Sequence, residues 1–204
     1  ERSGAETLLK SLWGLAKATG GRLELGFSGP SPQAMCYIPR DRRREGLIAD
    51  FSLWENFLLR SRKSCLRLGF FISRRRAVRA CLEVLDRFGI GPQDHKARAG
   101  HLSGGNQQRL LVGLSIHGKP ELTLASCPTR GLDLAGIEAV FTAFRSQTDA
   151  GGTVLLTSRD LRELCENTDR ITAFFQGSPV LTGPSEQLNP VDLGLAVATG
   201  AWRE

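Results

Sequence analysis

What this sequence lacks narrows its possible classes first. Its longest apolar stretches, such as Leu68 to Ile72 and Leu110 to Leu114, are only a few residues long. A bilayer-spanning helix needs roughly 20, so no transmembrane segment is expected. No basic-then-apolar leader precedes the first periodic segment, and the chain starts at Glu1 without an initiator Met. A fragment or a processed chain is therefore expected. Cysteine is sparse. Cys36, Cys65, Cys81, Cys127 and Cys165 are odd in number, scattered and free of any CxxC pair. They read as reduced thiols of a cytoplasmic protein, which argues against a disulfide or zinc framework.

What is present suits a soluble globular chain. Its 204 residues are 41% hydrophobic and 24% charged, enough to bury the core of one domain, or of a domain with a subdomain. The net charge of +6 is uneven: Arg40 to Arg79 holds 12 Lys and Arg against 4 Asp and Glu. Such a block can serve nucleic acid, acidic headgroups or a protein partner, or simply be a solvated helix face. It interleaves few aromatics for base stacking, which speaks against single-stranded nucleic acid.

The most informative stretch is Leu102-Ser103-Gly104-Gly105-Asn106-Gln107-Gln108, followed by an apolar run whose period sets Leu110, Leu111, Leu114 and His117 on one side of a helix. A serine and two glycines at a helix N-terminus form an anion site, since orphan N–H groups and the dipole both favour negative charge. Simple capping by Ser103 is the plain alternative. The full heptapeptide LSGGNQQ resembles the signature motif of ATP-binding cassette (ABC) ATPases, in the form found in sugar and nucleoside importers. Two further stretches carry the same resemblance. YIPRDRRREGL with DFSLWEN (Tyr37 to Asn56) is similar to the start of the helical subdomain in their second cassette, and Pro128-Thr129-Arg130-Gly131-Leu132-Asp133 to their PTRGLD loop.

The remaining pattern gives strand–helix alternation around a helical insert. Leu8, Leu12 and Leu15 share one face of a first helix, and Arg22 to Gly26 reads as a strand. Ser73 caps a helix from Arg74 to about Phe88, with Val78, Cys81, Leu82, Leu85 and Phe88 on one face. Glu121 to Ala125, Thr153 to Thr157 and Arg170 to Gln176 read as strands, Leu134 to Gln147 and Asp160 to Asn167 as helices. Gly177 to Val180 reads as a tight turn, and the small apolar tail from Leu188 as a docking helix or a loose end. The expected fold is α/β: a P-loop NTPase-like (RecA-like), mostly parallel sheet with an all-helical subdomain inserted. Residues 1–50 and 119–185 would form the core, 51–118 the helical subdomain and 186–204 the tail.

The resemblance also says which positions depart from the family. A phosphate loop needs close-approach glycines, a lysine and a magnesium-binding hydroxyl. Aligned on it, Gly4 is the last loop glycine, Ala5 holds the lysine position, Glu6 the magnesium-ligand position and Thr7 the next. Ser126, Cys127 and Arg159 occupy the usual Asp, Glu and His positions, and Arg40 replaces the usual glutamate. A thiol is no substitute for a carboxylate base, and no pattern of partner His and Asn supports Cys127 as a nucleophile. Arg159 can contact phosphate but cannot shuttle a proton at neutral pH. No catalytic or metal set is intact.

The resemblance thus implies an asymmetric cassette. Ser103, Gly104, Gly105, Asn106 and Gln107 would complete, in trans, an ATP site whose ATP and magnesium are held mainly by a partner cassette. Asp133 and Arg40 would lie at interfaces. The implied partners are a second cassette, transmembrane permease subunits and, indirectly, a substrate-binding protein, at the cytoplasmic face of the membrane and without nucleic acid. A nucleic-acid-binding module and an inactive remnant are the alternatives.

Overall fold

A computed structural model describes residues 4–25, 34–60, 66–67 and 71–201. The chain divides into two compact units, Leu25–Leu156 and Glu1–Glu24 with Thr157–Glu204. Gly26 of the expected first strand lies outside the described residues. Arg22 to Leu25 is irregular and not a strand.

In the larger unit, β1 (Met35–Ile38), β4 (Leu122–Ser126) and β5 (Thr153–Thr157) form a sheet in the order β1-β4-β5. β1 and β4 are parallel, with Met35 opposite Leu122 and Ile38 opposite Ala125. All five β4 residues are buried, as a central strand covered on both faces requires; this is why Leu-Thr-Leu-Ala-Ser shows no alternation. Of its two buried hydroxyls, that of Thr123 is used. Thr123 Oγ1 donates to Gln147 Oε1 at 2.9 Å, and Gln147 Nε2 donates to Pro120 O at 2.8 Å, tying β4 to α5 (Leu134–Asp149).

Around this sheet stand α2 (Leu53–Arg60), α3 (Arg74–Arg87) and α4 (Gly104–Ile116). The helical stretch also carries a short antiparallel ladder, β2 (Leu66–Arg67) with β3 (Phe71–Ile72). Ser73 caps α3 by accepting from Arg76 N. The residues α3 buries are Ala77, Cys81, Val84, Leu85 and Phe88; Val78 and Leu82, expected on that face, are only half-buried. α4 departs further from its expected single face. Every residue from Leu110 to Ile116 is buried, because β1, α2, α3 and α5 all pack against it. At its middle, a Cβ on Gly113 would stand 2.6 Å from Val84 Cγ1, so the glycine sets how closely α3 and α4 approach.

The smaller unit holds α1 (Ala5–Trp13), α6 (Leu161–Asn167), a hairpin of β6 (Arg170–Phe175) and β7 (Ser178–Pro184), and α7 (Pro190–Thr199). Gln176 (φ 49°) and Gly177 (φ 91°) make the hairpin turn, so Ser178 to Val180 belongs to a strand and not to the expected turn. Two left-handed residues match the twist of the flanking strands. Ile171, Ala173 and Leu181 of the hairpin bury against Leu193 and Ala196 of α7, so the tail is a packed helix, capped by Asn189. α1 stops at Gly14 (φ 87°). Leu15 therefore lies beyond the helix, and Leu9, not Leu8 or Leu15, is the residue it buries.

Candidate functional site

The signature stretch opens α4. Ser103 Oγ accepts from Asn106 N at 3.3 Å, and Ser103 O accepts from Gln107 N at 2.9 Å, so the capping reading holds. The motif's three amides serve the chain itself. Gln107 Nε2 donates to Ala99 O and Leu102 O, both at 3.2 Å, while its Oε1 accepts from Arg42 Nε at 3.4 Å. Gln108 Nε2 donates to Pro128 O at 2.7 Å, and Asn106 Nδ2 to Gly91 O at 3.1 Å. These bonds hold three loops around the first turn of α4. Ser103 is exposed and Gly104 and Gly105 are half-buried; first-turn amides have no partner within a helix by its geometry.

Cationic residues surround that turn. Arg42 Nη2 lies 2.6 Å from where a Gly104 Cβ would stand, so this glycine is what lets the guanidinium lie against the helix. Partial burial lowers the Arg42 pKa first, the like charges of Arg43 and Arg130 lower it further, and Asp41 opposes them. The PTRGLD loop runs alongside: a Gly105 Cβ would be 3.8 Å from Gly131 O and Leu132 Cδ2. Asp133 caps α5, accepting from Gly136 N at 2.8 Å, and Leu134 next to it is 86% exposed.

The DFSLWEN stretch has a structural explanation. Asn56 is buried and clamps the preceding loop: its Oδ1 accepts from Ile48 N at 2.8 Å, and its Nδ2 reaches Ile48 O, Phe51 O and Ser52 O at 3.0, 3.3 and 3.1 Å. At the start of α2, Ser52 N and Oγ both donate to the Glu55 carboxylate, so the glutamate reaches back one turn to satisfy the Ser52 amide. Arg60, at the other end of α2, was not singled out by sequence. It donates to Tyr37 O at 3.2 Å, Ser115 Oγ at 2.9 Å and Gly46 O at 3.1 Å, joining β1, α4 and the π-helical turn Arg42–Gly46. No local sequence signal marks it, since all three acceptors are distant in the chain. Arg40 is half-buried just after β1.

At the end of β4, Ser126 is fully buried, and its Oγ has no hydrogen-bond partner among the described residues. Cys127 follows, half-buried at φ 49°. The remaining singled-out residues belong to the smaller unit. Gly4 (φ 93°) precedes α1, and a Cβ there would stand 2.8 Å from Gly177 Cα; the backbone it approaches closely is that of the hairpin turn. Glu6 lies in the first turn of α1 beside Ala5 and Thr7, and pairs with Lys10 at 3.2 Å. Arg159 is exposed before α6, which Asp160 caps.

The three-dimensional arrangement defines a class. A solved dimeric ATP-binding cassette in a post-hydrolysis state, bound to ADP and Pi, superposes with a TM-score of 0.76 at 20% identity, over 90% of this chain and 82% of that one. The fold is that of the ABC ATPase, an α/β P-loop NTPase-like cassette. Among curated proteins, the guanosine import ATP-binding protein of Bacillus subtilis is 32% identical over 99% of this chain and 41% of its own length. The ribose import ATP-binding protein of Pseudomonas putida is 34% identical over 98% of this chain and 40% of its own. The chain is thus similar to ABC ATPase cassettes of sugar and nucleoside import proteins, and spans about two fifths of the length of those relatives. No protein-family model matches it. Among the described residues, no helix is long and apolar enough to cross a membrane.

Proposed function

We propose that this chain acts as an ATP-binding cassette of a sugar or nucleoside importer, in the manner of the second cassette of a tandem protein. Its own half-site is degenerate, and its signature serves the ATP of a partner cassette. The observation that carries this reading is the division of labour in LSGGNQQ. Asn106, Gln107 and Gln108 are spent on internal carbonyls, leaving the exposed Ser103 and the first-turn amides of Gly104 and Gly105 at the positive end of α4. That end favours a phosphate, and the positive field of Arg42 and Arg130 adds to the preference. Asp133, in the loop that runs beside Gly105, and the exposed Leu134 next to it are the candidate interface residues.

The residues at this chain's own nucleotide positions do not fit a magnesium nucleotide. Ala5 supplies no ammonium. Glu6 places a carboxylate in the first turn of α1, where a phosphate would otherwise be favoured, and keeps it there with Lys10. Ser126 has no charge to orient a metal, and the Cys127 thiol is no carboxylate base. ATP and magnesium would accordingly be held by the partner, and no step is assigned to this half-site.

On this reading residues 1–50 and 119–185 are the core, 51–118 the helical subdomain and 186–204 the tail. Closure against the partner would pass through Arg40 to Asn56, which the Asn56 clamp keeps as one piece, to permease subunits at the cytoplasmic face of the membrane. A substrate-binding protein would act on those subunits, and so only indirectly here. Replacing Ser103 by Arg in the assembled complex tests the proposal: ATP turnover by the partner cassette should be abolished. Turnover that survives this change, or transport-level ATPase activity from the chain alone, would refute it.

A further inference from the structure

We propose that Arg42 is a direct ligand of the terminal phosphate of a nucleoside triphosphate that the partner cassette presents to the signature turn. The inference rests on the trans-signature reading and adds to it a side chain from outside the motif. Arg42 opens the π-helical turn Arg42–Gly46 and is 65 residues from Gln107 in the chain.

One amide aims its guanidinium. Gln107 Nε2 is committed to Ala99 O and Leu102 O, both at 3.2 Å. Gln107 Oε1 is therefore turned the other way, and Arg42 Nε donates to it at 3.4 Å. The far end of the guanidinium then reaches the first turn of α4, with Nη2 only 2.6 Å from where a Gly104 Cβ would stand. Neither Nη atom of Arg42 has an acceptor among the described residues. The adjacent acid does not supply one. Asp41 Oδ1 accepts from Arg43 N and Arg44 N, both at 3.1 Å, and its Oδ2 pairs with Arg44 Nε at 3.8 Å.

The charges gathered here have no internal resolution. Arg42 stands at the positive end of α4, where the helix dipole disfavours a cation, and the like charges of Arg43 and Arg130 also act on it. Arg42 and Arg130 have no carboxylate partner among the described residues. Capping by Ser103 needs no cation at this end. An anion on the first-turn amides answers both the dipole and the arginines. The planar guanidinium offers paired N–H donors that match two oxygens of one phosphate. Its Nε–H is already used, so the edge left for this is the one against Gly104. A free inorganic phosphate carries the same oxygens. The exposed Ser103 leaves this turn open to solvent, so a free ion would keep its water on that side, whereas a nucleotide held by a partner brings its remaining contacts with it.

The test uses the assembled complex. Arg42→Met keeps the stem and removes the charge, and Arg42→Lys restores the charge without the paired donors. Arg42→Met should weaken binding of a non-hydrolysable ATP analogue about tenfold, and lower kcat/KM for ATP at least as much. ADP binding should not change, because ADP lacks the terminal phosphate. Arg42→Lys should regain part of both losses, and Lys119→Met, an exposed site after α4, should alter neither. Unchanged analogue binding by Arg42→Met, a parallel loss of ADP binding, or no gain from lysine would overturn the proposal. So would saturable binding of inorganic phosphate by the chain alone that Arg42→Met removes, since the ligand would then be the free ion. Ser103→Arg separates this proposal from the reading beneath it. If that change abolishes turnover while Arg42→Met leaves analogue binding intact, the trans-signature reading stands and the role of Arg42 falls. If it leaves turnover intact, both fall.

Discussion

The Asn56 clamp sets the strongest demand on the region between Arg40 and α2. Replacing Asn56 by Ala removes one acceptor and two amide hydrogens from a side chain that is 3% exposed. It strands Ile48 N and leaves the carbonyls of Ile48, Phe51 and Ser52 without this donor. Each intramolecular hydrogen bond is worth about 0.5–1.5 kcal/mol net, so three give roughly 1.5–4.5 kcal/mol. The three carbonyls keep backbone donors, Phe51 N, Ala99 N and the residue 56 N, so the main loss is at Ile48 N and about 2 kcal/mol is expected. Against a total stability of about 5–15 kcal/mol, that is a large fraction. Urea unfolding followed by circular dichroism measures it: the midpoint should fall with the slope unchanged. Asn56→Asp sharpens the test, because an oxygen then faces three carbonyl oxygens. The fold would favour the protonated acid, so stability should fall as pH rises above about 4, where the unfolded carboxyl ionises. At neutral pH this variant should be no more stable than Asn56→Ala. If Asn56→Ala unfolds within about 0.5 kcal/mol of the original chain, the clamp argument is wrong.

Two further substitutions test packing and polar burial. Gly113→Ala gains about 1 kcal/mol of helix propensity, but its methyl would meet Val84 Cγ1 at 2.6 Å and Phe88 Cδ2 at 2.9 Å. Overpacking costs about 1–3 kcal/mol, so a net loss and a Tm lower by about 2–4 °C are expected; a higher Tm would show that α3 and α4 part easily. Ser126→Ala removes a buried hydroxyl without a partner among the described residues, which costs about 1–3 kcal/mol to desolvate. The variant should be as stable as the original chain or more so in thermal melts, and a clear loss would show that Ser126 is hydrogen-bonded.

Much of the fold was legible wherever local signals sufficed. Ser73 and Ser103 cap the helices that follow them, because a side-chain oxygen meets an amide only three residues away; Asp133 and Asp160, read as an interface residue and a helix residue, prove to be caps of the same kind. β4 and β5 were legible from short apolar, β-branched runs. β1 was not: Met-Cys-Tyr-Ile is too short to announce itself, and its strand character comes from pairing with β4, distant in sequence. The expected strand at Arg22 has no described strand character for the converse reason, since a compatible residue pattern makes a ladder only where a partner edge exists. Leu15 reads as helical by spacing, yet the left-handed Gly14 ends α1 before it.

The sequence by itself determined the motif resemblance, the Ser73 and Ser103 caps, and which charges and hydroxyls each position carries, since a residue type settles these: Ala5 has no ammonium, and Ser126 and Cys127 have no carboxylate. Only the tertiary structure decided what each side chain does. It turned Asn106, Gln107 and Gln108 inward onto loop carbonyls, brought Arg42 against Gly104, buried α4 on all sides, and left Val78 and Leu82 half-buried. Spacing along a helix fixes which residues share a face, but how many neighbours cover that face depends on elements distant in the chain.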